Sequence, residues 1–129
     1  MNTVTREWIA KAEADFATTA RELRARKQPN YDAACFHAQQ CIEKYLKARL
    51  LTAKIPFTKT HDLERLLDSI LAREPAWDAF RPHLIELSTF AVAFRYPGDS
   101  ATRELAKLAL KNCKVIRQAI RSSLGLPKT

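Results

Sequence analysis

Two glycines in 129 residues leave little for the hairpins, bulges and left-handed turns on which sheet proteins lean. Neither GxGxxG nor GxxxxGK(S/T) occurs, so dinucleotide-binding and P-loop readings fall at once. The three cysteines, Cys35, Cys41 and Cys113, make no CxxC pair, which argues against a disulfide framework or a zinc ribbon and for buried thiols in a reducing compartment. His37, His61 and His83 lack metal-ligand spacing and HExxH is absent, so no metal and no cofactor is expected. Scattered acids offer no paired-carboxylate site, and nothing sets up a nucleophile elbow. The longest uncharged apolar run lies near Phe90 to Phe94, far short of a membrane span. The first residues, Met1 to Trp8, lack a basic stretch followed by an apolar one. A cytoplasmic protein with no membrane partner is expected.

What is present is the balance of a globular chain, 47% hydrophobic and 28% charged, of a length that suits one domain over residues 1–129. The 22 basic and 14 acidic side chains give a net charge of +8, unevenly spread. Residues 100–129 carry seven basic side chains and one acidic, whereas residues 1–99 are close to balanced. The positive charge is a local feature.

Apolar residues recur at helical spacing between proline breaks. A first helix is predicted from about Thr5 to Lys27, with Thr5 as its N-cap, ending at Gln28-Pro29-Asn30. A second, Tyr31 to about Lys54, has a wide apolar arc through Ala34, Cys35, Ala38, Cys41, Ile42, Tyr45, Leu46 and Ala48, with Gln40, Glu43, Lys44 and Lys47 opposite. A third runs from His61 to about Arg73, capped by Thr60 or His61. After a short turn at Trp77 to Phe80, Pro82 opens a fourth helix reaching Phe94 or Tyr96. Pro97-Gly98 breaks the chain, and Asp99 or Ser100 caps a last helix from about Ala101 to Leu124. With no strand-period segment and short connections, the fold class is all-α, an up-and-down bundle of four to five helices.

The last helix concentrates the charge. At about 100° per residue, Arg103, Lys107, Lys111, Lys114, Arg117 and Arg121 fall inside an arc of about 120°, with Leu105, Leu108, Ala109, Val115, Ile116, Ala119 and Ile120 on the expected core side. A solvated face usually mixes signs, and here only Glu104 supplies an acid, at the edge of the stripe. The six cations are a candidate phosphate surface, the plainer alternatives being a solubilising face or one that pairs with a partner's acids.

A second set of polar residues lies elsewhere. His37, Gln39, Gln40 and Lys44 follow one another on the second helix, His61 and Asp62 open the third, and Arg95, Tyr96 and Asp99 flank the Pro97-Gly98 break. Simple alternation puts the starts of helices two and four at one end of the bundle and those of three and five at the other. His61, Arg95 and Asp99 would then share an end where free helix N–H groups suit an anion. Capping is the commoner fate of such loop-edge residues.

These segments carry a family resemblance. The stretch from Tyr31-Asp32-Ala33-Ala34-Cys35-Phe36-His37 through Ala38-Gln39-Gln40-Cys41-Ile42-Glu43-Lys44-Tyr45-Leu46-Lys47-Ala48 resembles the signature helix of HEPN (higher eukaryotes and prokaryotes nucleotide-binding) domains. Lys59-Thr60-His61-Asp62-Leu63 and Arg95-Tyr96-Pro97-Gly98-Asp99 are similar to two further stretches of that family, in the right order, and Trp8, Ala12 and Asp15-Phe16 fit the first helix. The resemblance implies a helical bundle, usually a homodimer, often encoded beside a minimal nucleotidyltransferase as a toxin–antitoxin-like pair. Many members are metal-independent ribonucleases with an Arg-x(4–6)-His motif. Here no arginine is followed by histidine at that spacing: Arg95 has no histidine after it, and Arg81 and His83 are two apart. The expectation is therefore a domain without ribonuclease activity, with no catalytic residue, that binds a nucleotide or RNA and acts with a nucleotidyltransferase partner. Its ligand-binding candidates are His37, Gln40, Lys44, His61, Asp62, Arg95, Tyr96 and Asp99. The alternatives are a ribonuclease using Arg95 with a non-standard base such as His61 or His37, and a protein–protein interaction module.

Overall fold

The computed structural model describes residues 1–129 and contains five α-helices: α1 (Thr3–Arg24), α2 (Tyr31–Thr52), α3 (Leu63–Ile70), α4 (Arg81–Ala93) and α5 (Arg103–Ser123). A 3₁₀ turn, Pro75–Phe80, joins α3 to α4. There are no strands, and none of the helices is long and apolar enough to cross a membrane. Pro82 lies in the first turn of α4, and side chains cap the other four helix starts, each oxygen taking a backbone N–H that the first turn leaves open. Asn2 accepts from Thr5 N at 2.8 Å and Asn30 from Ala33 N at 2.9 Å. Asp62 accepts from Glu64 N and Arg65 N at 3.1 and 3.2 Å, and Thr102 from Leu105 N at 3.1 Å. Three caps thus differ from the sequence expectation. Thr5 lies inside α1 and is buried, Asp62 rather than Thr60 or His61 opens α3, and Thr102 rather than Asp99 or Ser100 opens α5. That last start is displaced because Asp32 accepts from Ala101 N at 2.6 Å, holding residue 101 at the start of α2 before the helix can begin.

The same bond corrects the arrangement of ends. The starts of α2 and α5 lie together, and so do their ends, where Arg49 donates to Ser123 Oγ at 2.8 Å. The two helices run parallel, with α1 antiparallel to both. Helix α2 packs against α1, α3, α4 and α5, and twelve of its 22 residues are buried. Small residues let α5 approach closely: Ala34, Ala38 and Cys41 on α2 and Ala106, Ala109 and Cys113 on α5 are all at 0% exposure. All three cysteines are free and buried. Burial pushes the Cys35 thiol up to about 11, and burial together with the neighbouring Cys113 thiol raises that of Cys41, so both stay protonated.

Packing against four helices changes the fate of charged residues on α2. Glu43 and Lys47, expected on the solvent face of α2, are 2% and 5% exposed and pair at 3.1 Å. The Lys47 ammonium also lies over the rings of Trp8 and Phe57, a favourable place for a desolvated cation. On α5 the buried side is rotated from the one expected. Val115 is half-exposed, while Arg117 and Arg121 are buried. Arg117 forms a two-pronged bond to Glu13, both N···O distances 2.7 Å, and stacks on Phe16 at 4.1 Å. Arg121 donates to Tyr45 Oη at 3.0 Å and to the Pro127 carbonyl at 2.9 and 3.1 Å. The residues after α5 turn back over its last turns, and these two guanidiniums hold them. Tyr45 completes the network by donating to Glu13.

Burial pushes the Glu13 carboxyl up, but the hydrogen bonds from Arg117 and Tyr45 and the charges of Arg117 and Arg121 outweigh it, and the group rests below its ordinary value of 4.5. A carboxyl lowered on folding stabilises fully above its unfolded pKa, and that contribution is lost as pH falls through the folded value. Acid unfolding followed by circular dichroism checks this. Glu13→Gln leaves a buried guanidinium short of its counter-charge and should lower stability at neutral pH by about 3 kcal/mol, with a shallower loss below pH 4.5 than the parent shows.

Candidate functional site

Between α2, α4 and the loop before α3 lies a cleft of about 210 Å3, walled by Phe36, Gln39, Gln40, His61, Ser88, Ala91, Val92 and Arg95. Helical spacing explains the walls. Phe36 and Gln40 stand one turn apart on α2. Ser88, Ala91 and Val92 lie one and two turns before Arg95, which follows the end of α4. His61 arrives from the connection to α3, its position fixed by Glu43. Its Nδ1 lies 3.0 and 3.2 Å from the two Glu43 carboxylate oxygens. A carboxylate only accepts, so Nδ1 carries the proton in the neutral ring and Nε2 is left bare. The imidazole is otherwise open to solvent, 84% exposed against 3% for the Glu43 side chain.

Glu43 is the centre of a polar chain. Lys47 donates to its Oε2, and Gln39 donates Nε2 to its Oε1 and to the His61 carbonyl, both at 3.3 Å. Gln40 in turn donates to Gln39 Oε1 at 2.8 Å. Arg49, Arg81 and Arg117 are each paired with a carboxylate, whereas the exposed Arg95 has no acidic partner in the chain. The cleft therefore combines one unpaired cation, an aromatic ring, two aliphatic side chains and oriented amide and imidazole groups.

Three of the eight ligand-binding candidates meet in this cleft: Gln40, His61 and Arg95. His37 and Lys44 belong to a neighbouring cluster against α1, where Asp15 takes His37 Nδ1 at 2.7 Å and Lys44 Nζ at 2.6 Å. Asp62 spends its carboxylate on the α3 cap. Tyr96 and Asp99 are exposed beyond α4 and do not line the cleft. Gly98, at φ +102°, reverses the chain there. Phe36, Ser88 and Val92 are not among the site candidates read from the sequence, nor is Glu43 as the residue that orients His61. For Phe36, Glu43, Ser88 and Val92 the only sequence signal is a spacing of three, four or seven residues from Gln40, Lys47 and Arg95.

The stripe on α5 divides. Arg103, Lys107, Lys111 and Lys114 are exposed, and the last three surround a shallow depression with Leu110 and Val115. Arg117 and Arg121 are not part of this surface, because Glu13, Tyr45 and the residues after α5 enclose them. The exposed cations also face away from the cleft. Cys41 and Tyr45, which meet α5, lie about 140° around α2 from Phe36 and Gln40. No three His, Cys, Asp or Glu side chains gather in a set that could hold a metal ion.

The model of the HEPN domain matches residues 5–123, nearly the whole chain. The chain belongs to the HEPN family. No curated protein and no solved structure matches it. At the level of the family, this HEPN domain is a helical domain of the nucleotide- and RNA-binding kind, and within it the cleft holds an arginine and a carboxylate-oriented imidazole contributed by separate elements.

The proton position on His61 can be read directly. In long-range ¹H–¹⁵N spectra of the neutral ring, Nδ1 of His61 should show the protonated, pyrrole-type shift and Nε2 the bare one. A ring found with its proton on Nε2 would contradict the Glu43 contact.

Proposed function

We propose that this HEPN domain binds a nucleotide or RNA in the α2–α4 cleft without cleaving it, Arg95 taking a phosphate and Phe36 and Gln40 meeting the base. The observation that carries the reading is the unpaired Arg95 guanidinium set beside a ring and oriented polar groups. In a partly apolar cleft the planar fork of such a cation suits an anion that presents two oxygens to it, as a phosphate does. The exposed cations Arg103, Lys107, Lys111 and Lys114 serve as an auxiliary phosphate surface for a longer RNA. The working unit is a homodimer of this chain. A minimal nucleotidyltransferase is its partner, in a toxin–antitoxin-like pair.

A second reading is favoured by one specific contact. His61, held by Glu43 with Nε2 free, has the orientation of a general base. Next to Arg95 it could take the proton from a ribose 2′-hydroxyl as that oxygen attacks phosphorus. Such a ribonuclease also needs an acid for the departing 5′ oxygen, and no second imidazole or carboxylic acid lines the cleft. One ring cannot serve both ends of a concerted step, and for that reason we rank binding ahead of cleavage.

Isothermal titration with nucleoside monophosphates tests the first reading. Arg95→Ala should weaken binding by about tenfold or more, as expected for a lost charge-assisted contact. Cleavage of RNA by the purified chain, abolished in both Arg95→Ala and His61→Ala, would establish the second reading instead. The α5 surface is tested separately by Lys107→Glu with Lys111→Glu and Lys114→Glu. The triple change should leave mononucleotide affinity nearly unchanged, weaken binding of a longer RNA and flatten its salt dependence. Unchanged RNA binding with a broken protein complex would mark that face as a protein interface.

A further inference from the structure

The hydrogen-bond polarity around Gln39 fixes what Gln40 can offer a ligand. Gln39 Nε2 lies 3.3 Å from Glu43 Oε1 and 3.3 Å from the His61 carbonyl. Both groups only accept, so the Gln39 amide cannot be flipped without setting its oxygen against two others. Its Oε1 consequently faces Gln40 at 2.8 Å, where only a donor is tolerated. Gln40 thus commits an Nε2 hydrogen to Gln39 and leaves its own Oε1 without a partner in the chain, on a side chain that lines the cleft. The Lys47–Glu43 pair anchors this order from inside the bundle, since Lys47 only donates and takes Glu43 Oε2 at 3.1 Å. His61 obeys the same logic, its Nδ1–H given to Glu43 and its Nε2 bare. The cleft offers two unengaged acceptors, and the second Nε2 hydrogen of Gln40, beside the Phe36 ring and the aliphatic Ala91 and Val92, with Arg95 at one edge.

Two lone-pair groups that the protein leaves unused call for donors on the ligand. Exocyclic amines of nucleobases supply them, whereas an oxo group at the same ring position would set acceptor against acceptor at Gln40 Oε1. We infer that the cleft discriminates amino from oxo bases, adenine over hypoxanthine and cytosine over uracil, with Gln40 Oε1 as the specificity-determining atom. The inference rests on the nucleotide-binding reading above and adds the class of base. Adenine and hypoxanthine, like cytosine and uracil, differ at this one exocyclic position and its neighbouring ring nitrogen. Phosphate, sugar and stacking contacts stay constant within each pair.

The experiment compares AMP with IMP and CMP with UMP by isothermal titration, for the parent chain and for Gln40→Met, which keeps the length of the side chain and removes the acceptor. The parent should prefer the amino member of each pair by about tenfold, the discrimination of a good polar contact to a base. In Gln40→Met the ratio should fall close to one while AMP still binds through Arg95, which also shows that the variant is folded. Equal affinities in the parent overturn the inference and leave nucleotide binding standing. So does a variant that keeps the parent's preference, or one that loses all four ligands equally. A parent that binds none of the four nucleotides overturns the nucleotide reading itself, a result distinct from equal binding.

Discussion

A helix enclosed by four others has to satisfy every polar group on its inner faces without water, and α2 carries a glutamate and a lysine there. An isolated charge in such a place would cost several kcal/mol, so Glu43 and Lys47 hold each other, and each takes further partners. Lys47 finds the faces of Trp8 and Phe57. Glu43 takes Gln39 and His61. Because Lys47 can only donate and Glu43 can only accept, a direction is imposed on every group downstream. The orientation of the Gln39 amide, the proton position on His61 and the free oxygen of Gln40 all follow from one buried ion pair. The pair's net contribution to stability is small by general experience with buried salt bridges. What it supplies here is order at the edge of the cleft.

The bundle repeats this solution on its other side. Glu13, Arg117, Arg121 and Tyr45 form a second enclosed network that ties α1, α2 and α5 to the residues following α5. Between the two networks the contact of α2 with α5 is made by alanines and cysteines. Close backbone approach there leaves long side chains no choice but to emerge at the flanks, where Tyr45 and Arg121 meet. Small residues in the middle and ionic clusters at the edges are two parts of one packing arrangement.

The five helices and the breaks between them were legible in the sequence because proline and the 3.6-residue period act locally. The cap positions were not, since Asp32 decides where α5 starts from 69 residues away. The same distinction governs the charged residues. Assigning every lysine and arginine of α5 to solvent is correct for Arg103, Lys107, Lys111 and Lys114 and fails for Arg117 and Arg121, whose partners Glu13, Phe16 and Pro127 lie on other segments. Glu43 and Lys47 fail in the same way, as only the neighbours of α2 make their side of the helix interior. Of the cleft, Gln40, His61 and Arg95 were visible as polar residues in family-like stretches. That three elements bring them to one place could not be read from spacing along any one of them.

The four bare cations of α5 also give the molecule an electrical polarity. Arg81 binds Glu64, Asp68 and Asp78 beside α3, drawing the acids of that region into one compact group. The excess positive charge therefore sits off-centre, on the side turned away from the cleft. In the field of a polyanion or a negatively charged surface, such a body rotates before it touches, leading with α5. Attachment made this way leaves the cleft facing outward, its mouth open to ligands arriving from solution.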